Sequence, residues 1–173
     1  MKKLFSLCLI CLLAVSAMAQ DQNVNVVVIG GGSSSTSGDY VDLGLPSGTL
    51  WKRQNESGFY TYEEAINRFG NKLPERHHFV ELINECTWIW MDEYGYKVVG
   101  PNGNSITFPA AGYRFCSGDL YNVGPYGRYW SSTPNDSVCA WYLYFDSGEV
   151  NMDYDYRCFG LYVRLVLFFI NFA

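Results

Sequence analysis

The order of patterns along the chain predicts an α+β domain in which two helices pack on a small twisted antiparallel sheet with long loops. Three observations carry this. Two stretches with helical periodicity, 61–70 and 75–86, lie together in the first half. Short apolar runs separated by Gly, Asn, Asp, Ser and Pro fill the chain after them. A strand-like stretch, 40–51, comes before both helices. With 173 residues and 49% apolar side chains, there is material for one core and one domain with short additions.

Residues 1–19 open with Lys2 and Lys3, run apolar from Leu4 to Val15 and close on Ala17-Met18-Ala19. That is the pattern of a secretory signal peptide and not of a membrane span, so the mature chain is expected to start at Gln20 and to be exported. Cys8 and Cys11 lack the small-residue word that directs lipoprotein processing. Residues 23–29 (NVNVVVI) are strand-like, and 30–38 (GGGSSSTSG) have flexible-linker composition. The domain is therefore expected at 39–166, followed by an apolar tail, 167–173.

Within the domain, Pro46-Ser47-Gly48 interrupts the first strand pattern as a turn. Thr61 with Glu64 forms a capping box, and Gly70 stops the first helix. Phe79, Leu82, Ile83 and Cys86 recur at three- and four-residue steps, giving the second helix one buried stripe. YKVV and SITFP flank Pro101-Asn102-Gly103-Asn104, a hairpin with Asn-Gly at its apex. Short strands are expected near 129–132, 140–145, 149–152 and 160–169, with Asp146-Ser147-Gly148 turning the second into the third.

Removing the leader takes two of the twelve cations and leaves a net charge of −7. An acidic chain without a basic cluster argues against nucleic acid as a partner. Cys86, Cys116, Cys139 and Cys158 allow three disulfide pairings, and spacing does not choose among them. His77 and His78, adjacent on a helix, point about 100° apart and do not converge on a metal; a helix-surface position is expected for both. Cys86 is eight residues beyond His78, about 12 Å of helical rise, which is too far for a Cys–His nucleophile pair. Trp51, Trp88, Trp90 and Trp130 are expected to fill the core. Arg157 and Arg164 are expected to pair with acidic neighbours and hold the last strand.

The segment 110–166 concentrates nine of the fourteen tyrosines and two of the five tryptophans. Apolar words (AAGYR, YWSSTP, LYF, YVRLV) alternate there with runs of Asp, Asn, Ser, Gly and Tyr. Tyr gives stiff contact area with a hydrogen-bonding tip, and the small polar residues adapt around it, the residue usage of a binding surface. Asp153-Tyr154-Asp155-Tyr156, if extended, sets two carboxylates on one side and two phenols on the other. Asn135-Asp136 and Asp153-x-Asp155 carry oxygen ligands of the kind hard cations want.

Five words in order, YVDLGLPSGTLW, FGNKLPERHHFVELINECTW, GYKVVGPNGNSITFPAAGYR, YGRYWSSTP and LYFDSGEVNM, make residues 40–166 resemble the FISUMP-type "major paralogous" domain of Gram-negative gut-type bacteria. The resemblance implies an exported or surface-displayed domain with a C-type lectin-like fold, in which the terminal strands pair and a long loop region carries ligand contacts. Some such domains resemble the variable proteins of diversity-generating retroelements, whose rewritten codons yield the Asn, Asp, Tyr, Ser and Phe seen between the words. Two departures stand out. Leu161-Tyr162 replaces a small Ser before Val-Arg-Leu-Val, and LFFINFA extends the end. The Glu-Pro-Asn companion of calcium-dependent lectins is also missing, so no metal or cofactor is expected.

The expected site is Phe115, Asp119, Tyr121, Asn122, Asn135, Asp136, Trp141, Asn151, Asp153, Tyr154, Asp155 and Tyr156, on loops within 115–123, 134–141 and 151–159. Its expected partner is a protein or glycan on a cell or phage surface. No catalytic residue is expected. A structural or adhesive surface component is the alternative. An enzyme of the formylglycine-generating type would need a reactive cysteine pair that no local word supplies.

Overall fold

The computed structural model describes residues 38–92 and 94–168. The expected leader, the strand-like stretch 23–29, almost all of the linker and tail residues 169–173 lie outside the described residues. Among the described residues, no helix is long and apolar enough to cross a membrane.

The architecture is α+β, with the strands divided among several small antiparallel sheets where one was expected. β1 (Tyr40–Asp42), β2 (Leu50–Lys52) and β11 (Val166–Leu167) form the first, with β2 central, so strands from the two ends of the domain pair. Two helices follow. α1 (Tyr62–Phe69) starts at Thr61, whose hydroxyl accepts from the Glu64 N–H at 3.3 Å while the Glu64 carboxylate accepts from the Thr61 N–H at 2.8 Å. This is the capping box the sequence predicts, and Gly70 ends the helix with φ +53°. α2 (Arg76–Glu85) buries Phe79 and Leu82, and Ile83 and Cys86 pack against the same core.

β3 (Thr87–Trp90), β4 (Gly95–Val99) and β5 (Ser105–Pro109) form the second sheet; Asn102-Gly103 sits at the β4–β5 apex. A short ribbon, β6 (Tyr113–Arg114) with β7 (Leu120–Tyr121), leads into the third sheet. That sheet contains β8 (Gly127–Pro134), β9 (Cys139–Phe145) and β10 (Val150–Tyr156). β10 runs four residues beyond the expected 149–152, so Asp153–Tyr156 are strand and not loop. The reason is register: Tyr154 faces Trp141 and Tyr156 faces Cys139, and β9 is long enough to keep pairing.

The two faces of the third sheet feed two cores, because alternate side chains point to opposite sides. Tyr129, Leu143 and Phe145 join Trp51, Phe79, Leu82, Val98, Phe108 and Val166. Trp130, Ala140 and Tyr142 join Tyr60, Tyr62, Ala65, Leu161 and Val163. Trp130 also donates its indole N–H to the Tyr60 carbonyl at 2.9 Å. Trp51 and Trp130 are fully buried as expected, whereas Trp88 and Trp90 are half-buried on the edge strand and only pack against the first core.

Of the strand expected over 160–169, the described residues form only β11 (Val166–Leu167). Before it the segment passes through the centre and satisfies its backbone with several partners in turn. Gly160 exchanges hydrogen bonds with Arg114, Leu161 with Tyr60, and Tyr162 with both Arg128 and Trp130. The Val163 and Leu165 carbonyls accept from Glu56 and Lys52. Leu161, the larger residue where a small one was expected, is fully buried in the second core. Phe168, from the apolar tail, packs against the first.

Candidate recognition surface

Backbone and sulfur hold the 113–123 loop in place. Gly112 turns the chain at φ +72°, and a Cβ there would collide with the Tyr121 carbonyl, so only glycine fits the approach of β6 to β7. Within the loop, Phe115 N–H donates to the Asp119 carbonyl at 2.9 Å and Gly118 N–H to the Phe115 carbonyl at 2.8 Å. Arg114 donates to the Gly118 carbonyl at 2.6 Å, and Ser117 to the Asp119 carboxylate at 2.8 Å. Arg114 and Gly160 exchange backbone bonds of 2.8 and 2.9 Å. Cys116 and Cys158, 5.0 Å apart at Cα, form a disulfide across 42 residues, which resolves the pairing that spacing left open. Cys86 and Cys139 are thiols. Burial pushes Cys86 up to about 11, which keeps it in the unreactive thiol form.

This clamp assembles an aromatic cluster. Phe115 lies 4.8 Å from Tyr121 and 4.9 Å from Phe159 between ring centres, and Tyr156 lies 6.4 Å from Phe159. Phe159 is buried and serves as the floor, while Phe115, Tyr121 and Tyr156 are 41%, 43% and 58% exposed. Leu120 and Val123 extend the exposed apolar area. Tyr113 links the cluster to Arg128, whose guanidinium sits 3.9 Å from the Tyr113 ring centre. Arg128 also pairs with Asp155 at 3.1 Å.

The other expected residues divide. Asp153 and Asp155 share one face of β10, and Tyr154 and Tyr156 point to the other, as alternation predicts. Asp153 is held by the Tyr142 hydroxyl at 3.2 Å. Tyr154 joins Trp141 on β9 (ring centres 5.3 Å apart) and not the Phe115 cluster, and Arg76 of α2 lies 4.1 Å over the Trp141 ring. The expected single surface is thus two groups: the Trp141–Tyr154 pair on β9 and β10, and the Phe115 cluster that Tyr156 joins at the end of β10. Asn151 is exposed near Glu149, with 3.2 Å between amide and carboxylate.

Asn135 and Asp136 form the β8–β9 turn. The Asp136 carboxylate accepts from the Val138 and Cys139 N–H groups, each at 2.7 Å, and these bonds hold it below the usual carboxylate range. It acts as a turn acceptor facing its own backbone. Asn122 adopts φ +55°, a conformation Asn tolerates, and turns the chain after β7. Asp119 closes the 115–119 loop.

Of the two arginine expectations, the one for Arg157 holds and the one for Arg164 needs correction. Arg157 does reach Glu63 at 3.2 Å, but it also donates to the Cys139 and Asp136 carbonyls. Arg164 meets no acid. It is buried and donates to the carbonyls of Lys52 (2.8 Å), Arg53 (2.7 Å) and Thr107. Burial pushes it down to about 10.

His78 likewise is not on the helix surface. It is 4% exposed, because its Nδ1 turns back to accept the Glu75 N–H at 3.0 Å and caps α2. Its ring stacks on Phe168 at 5.3 Å, and the exposed His77 folds onto it at 4.0 Å despite the helical offset.

Leu120, Val123, Tyr113, Arg128 and Arg76 were missed by the sequence reading. For Leu120 and Val123 the signal was present, since two aliphatics sit inside an otherwise polar loop. For Arg76 and Arg128 the contacts are long-range and leave no local trace.

Residues 87–166, from the start of β3 to the first residue of β11, are similar to a family described as a domain of unknown function (DUF8237). No curated protein and no solved structure matches the chain.

Proposed function

We propose that this chain is an exported, non-enzymatic recognition module of C-type lectin-like build that binds a protein or glycan through the Phe115–Tyr121–Tyr156 surface. The observation that carries the reading is the pairing of exposed aromatics with a rigid base. Three large rings stand in solvent, Phe115 and Tyr156 on a buried Phe159 and Tyr121 against Phe115, beside a disulfide and a backbone clamp. Rings already ordered lose little entropy on binding, so their contact area converts into affinity more fully than that of a mobile loop. The resemblance to FISUMP-type domains supports the same reading, as does the Asn, Asp and Tyr palette expected of retroelement-diversified segments. The test is to probe protein and glycan arrays with the wild type and with a Phe115→Ser/Tyr121→Ser variant. Hits that the variant loses while its thermal unfolding is unchanged support the proposal; hits retained in full by the variant refute it.

A second reading, an adhesive component that assembles through this surface, is favoured by exposed Leu120, Val123 and Val138. Sedimentation over a range of concentrations separates the two readings, because assembly requires reversible self-association that Val123→Ser weakens.

A further inference from the structure

A second site lies away from the aromatic surface. A cleft of about 500 Å3, between the 53–58 segment and β5, is lined by Arg53, Asn55, Ser105, Thr107, Tyr162 and Arg164 among others. That volume falls in the range of small-molecule sites, roughly 300–1,000 Å3.

Its polar groups are unbalanced. Arg164 is 1% exposed, and among the described residues no carboxylate pairs with it. Its two terminal nitrogens are spent on three carbonyls, and its Nε has no partner. Asn55 is the complement: its amide nitrogen donates to the Tyr129 hydroxyl at 2.9 Å, while its buried Oδ1 accepts from nothing. One donor and one acceptor are therefore orphaned on the lining of one cleft, where buried polar groups ordinarily find partners.

Arg53 adds an exposed cation that forms no ion pair among the described residues. Glu56 is the one acid on the lining, and Lys52 already neutralises it. The cleft is thus net positive in a chain whose formal charge is −5. Tyr162, one of the two residues that depart from the expected word, supplies an aromatic wall; Phe59 packs edge-on against it at 4.5 Å.

We propose that this cleft binds an acidic sugar unit, a pyranose ring carrying a carboxylate. Arg53 contacts the carboxylate, and Arg164 acts from beneath as a fixed charge. The ring hydroxyls meet Asn55, Ser105 and Thr107, and the apolar ring face lies on Tyr162. An inorganic anion would leave the hydroxyl and amide groups and the aromatic wall unused, and a neutral sugar would leave the guanidinium charge unanswered. The site is independent of the Phe115 surface and stands or falls separately from it.

The test is calorimetric titration of the full-length chain with D-galacturonate, D-galactose and a short peptide with a free C-terminal carboxylate, at low ionic strength. The Arg53 side chain makes no hydrogen bond within the described residues, so Arg53→Gln leaves the fold intact. The expected result is that galacturonate saturates, galactose binds at least about tenfold more weakly, and Arg53→Gln weakens galacturonate by about tenfold. Tyr162→Ser weakens it too, whereas Phe115→Ser leaves it unchanged. The proposal is overturned if galactose binds as well as galacturonate, if Arg53→Gln has no effect, if the peptide binds more tightly than the sugar acid, or if none of the three binds.

Discussion

Trp130 and Trp141 sit on neighbouring strands of one sheet, β8 and β9, yet they belong to different parts of the molecule. Trp130 points into the second core, is fully buried, and has its indole N–H satisfied by the Tyr60 carbonyl. Trp141 points to the opposite side, stays half-buried, and rests under Arg76 and beside the exposed Tyr154. The same contrast separates Tyr142 from Tyr154 and Phe159 from Phe115. An aromatic residue in this half of the chain is frame or surface according to where its strand or turn aims it, and residue type alone does not tell which.

The largest effect expected from that contrast is on stability. Trp130→Ala is expected to cost about 3–5 kcal/mol, because it opens a cavity in a packed core. Trp141→Ala is expected to cost under about 1 kcal/mol, as most surface substitutions do. Denaturant titration of the two variants side by side checks this, and equal costs would erase the distinction.

Next comes the clamp beneath the aromatic surface. Cys116→Ser with Cys158→Ser is expected to lower stability by about 2–4 kcal/mol. It is also expected to speed amide exchange at Phe115 and Gly118, whose N–H groups close the loop, more than in β8 and β9. Uniform acceleration across the domain would mean that the bond stabilises the whole fold without specially fixing this surface.

The smallest effect separates helix cap from surface. Burial first, and the neighbouring His77 second, hold His78 below its ordinary 6.5. The unfolded chain therefore takes up a proton that the folded one resists, so the His78 contribution is fully present above pH 6.5 and is lost as pH falls below it. His78→Gln keeps an acceptor at the capping position and is expected to flatten that part of the stability–pH curve. An unchanged slope would place the titration elsewhere.

Much of the frame was legible because it is written in local chemistry. Thr61 and Glu64 announce α1, Asn102-Gly103 announces the β4–β5 hairpin, and alternation puts Asp153 and Tyr154 on opposite sides of β10. What was not legible depends on partners distant in sequence. Spacing cannot choose Cys158 for Cys116, and nothing near Arg164 reveals that three carbonyls, two from β2 and its exit and one from β5, receive its guanidinium. His78 goes inward because it caps its own helix and meets Phe168. The candidate surface was half legible: its residues fall into two groups, because Tyr154 packs on Trp141 of β9 whereas Tyr156, at the end of β10, reaches Phe159.

That division also decides the most direct measurement. Each array ligand of the wild type is to be titrated against two variants, Phe115→Ser/Tyr121→Ser for the disulfide-clamped cluster and Trp141→Ser/Tyr154→Ser for the β9–β10 pair. The account predicts that the first variant loses at least about tenfold in affinity and the second stays close to wild type. Loss confined to the second variant, with the first unaffected, would contradict it and move recognition to the Trp141 side.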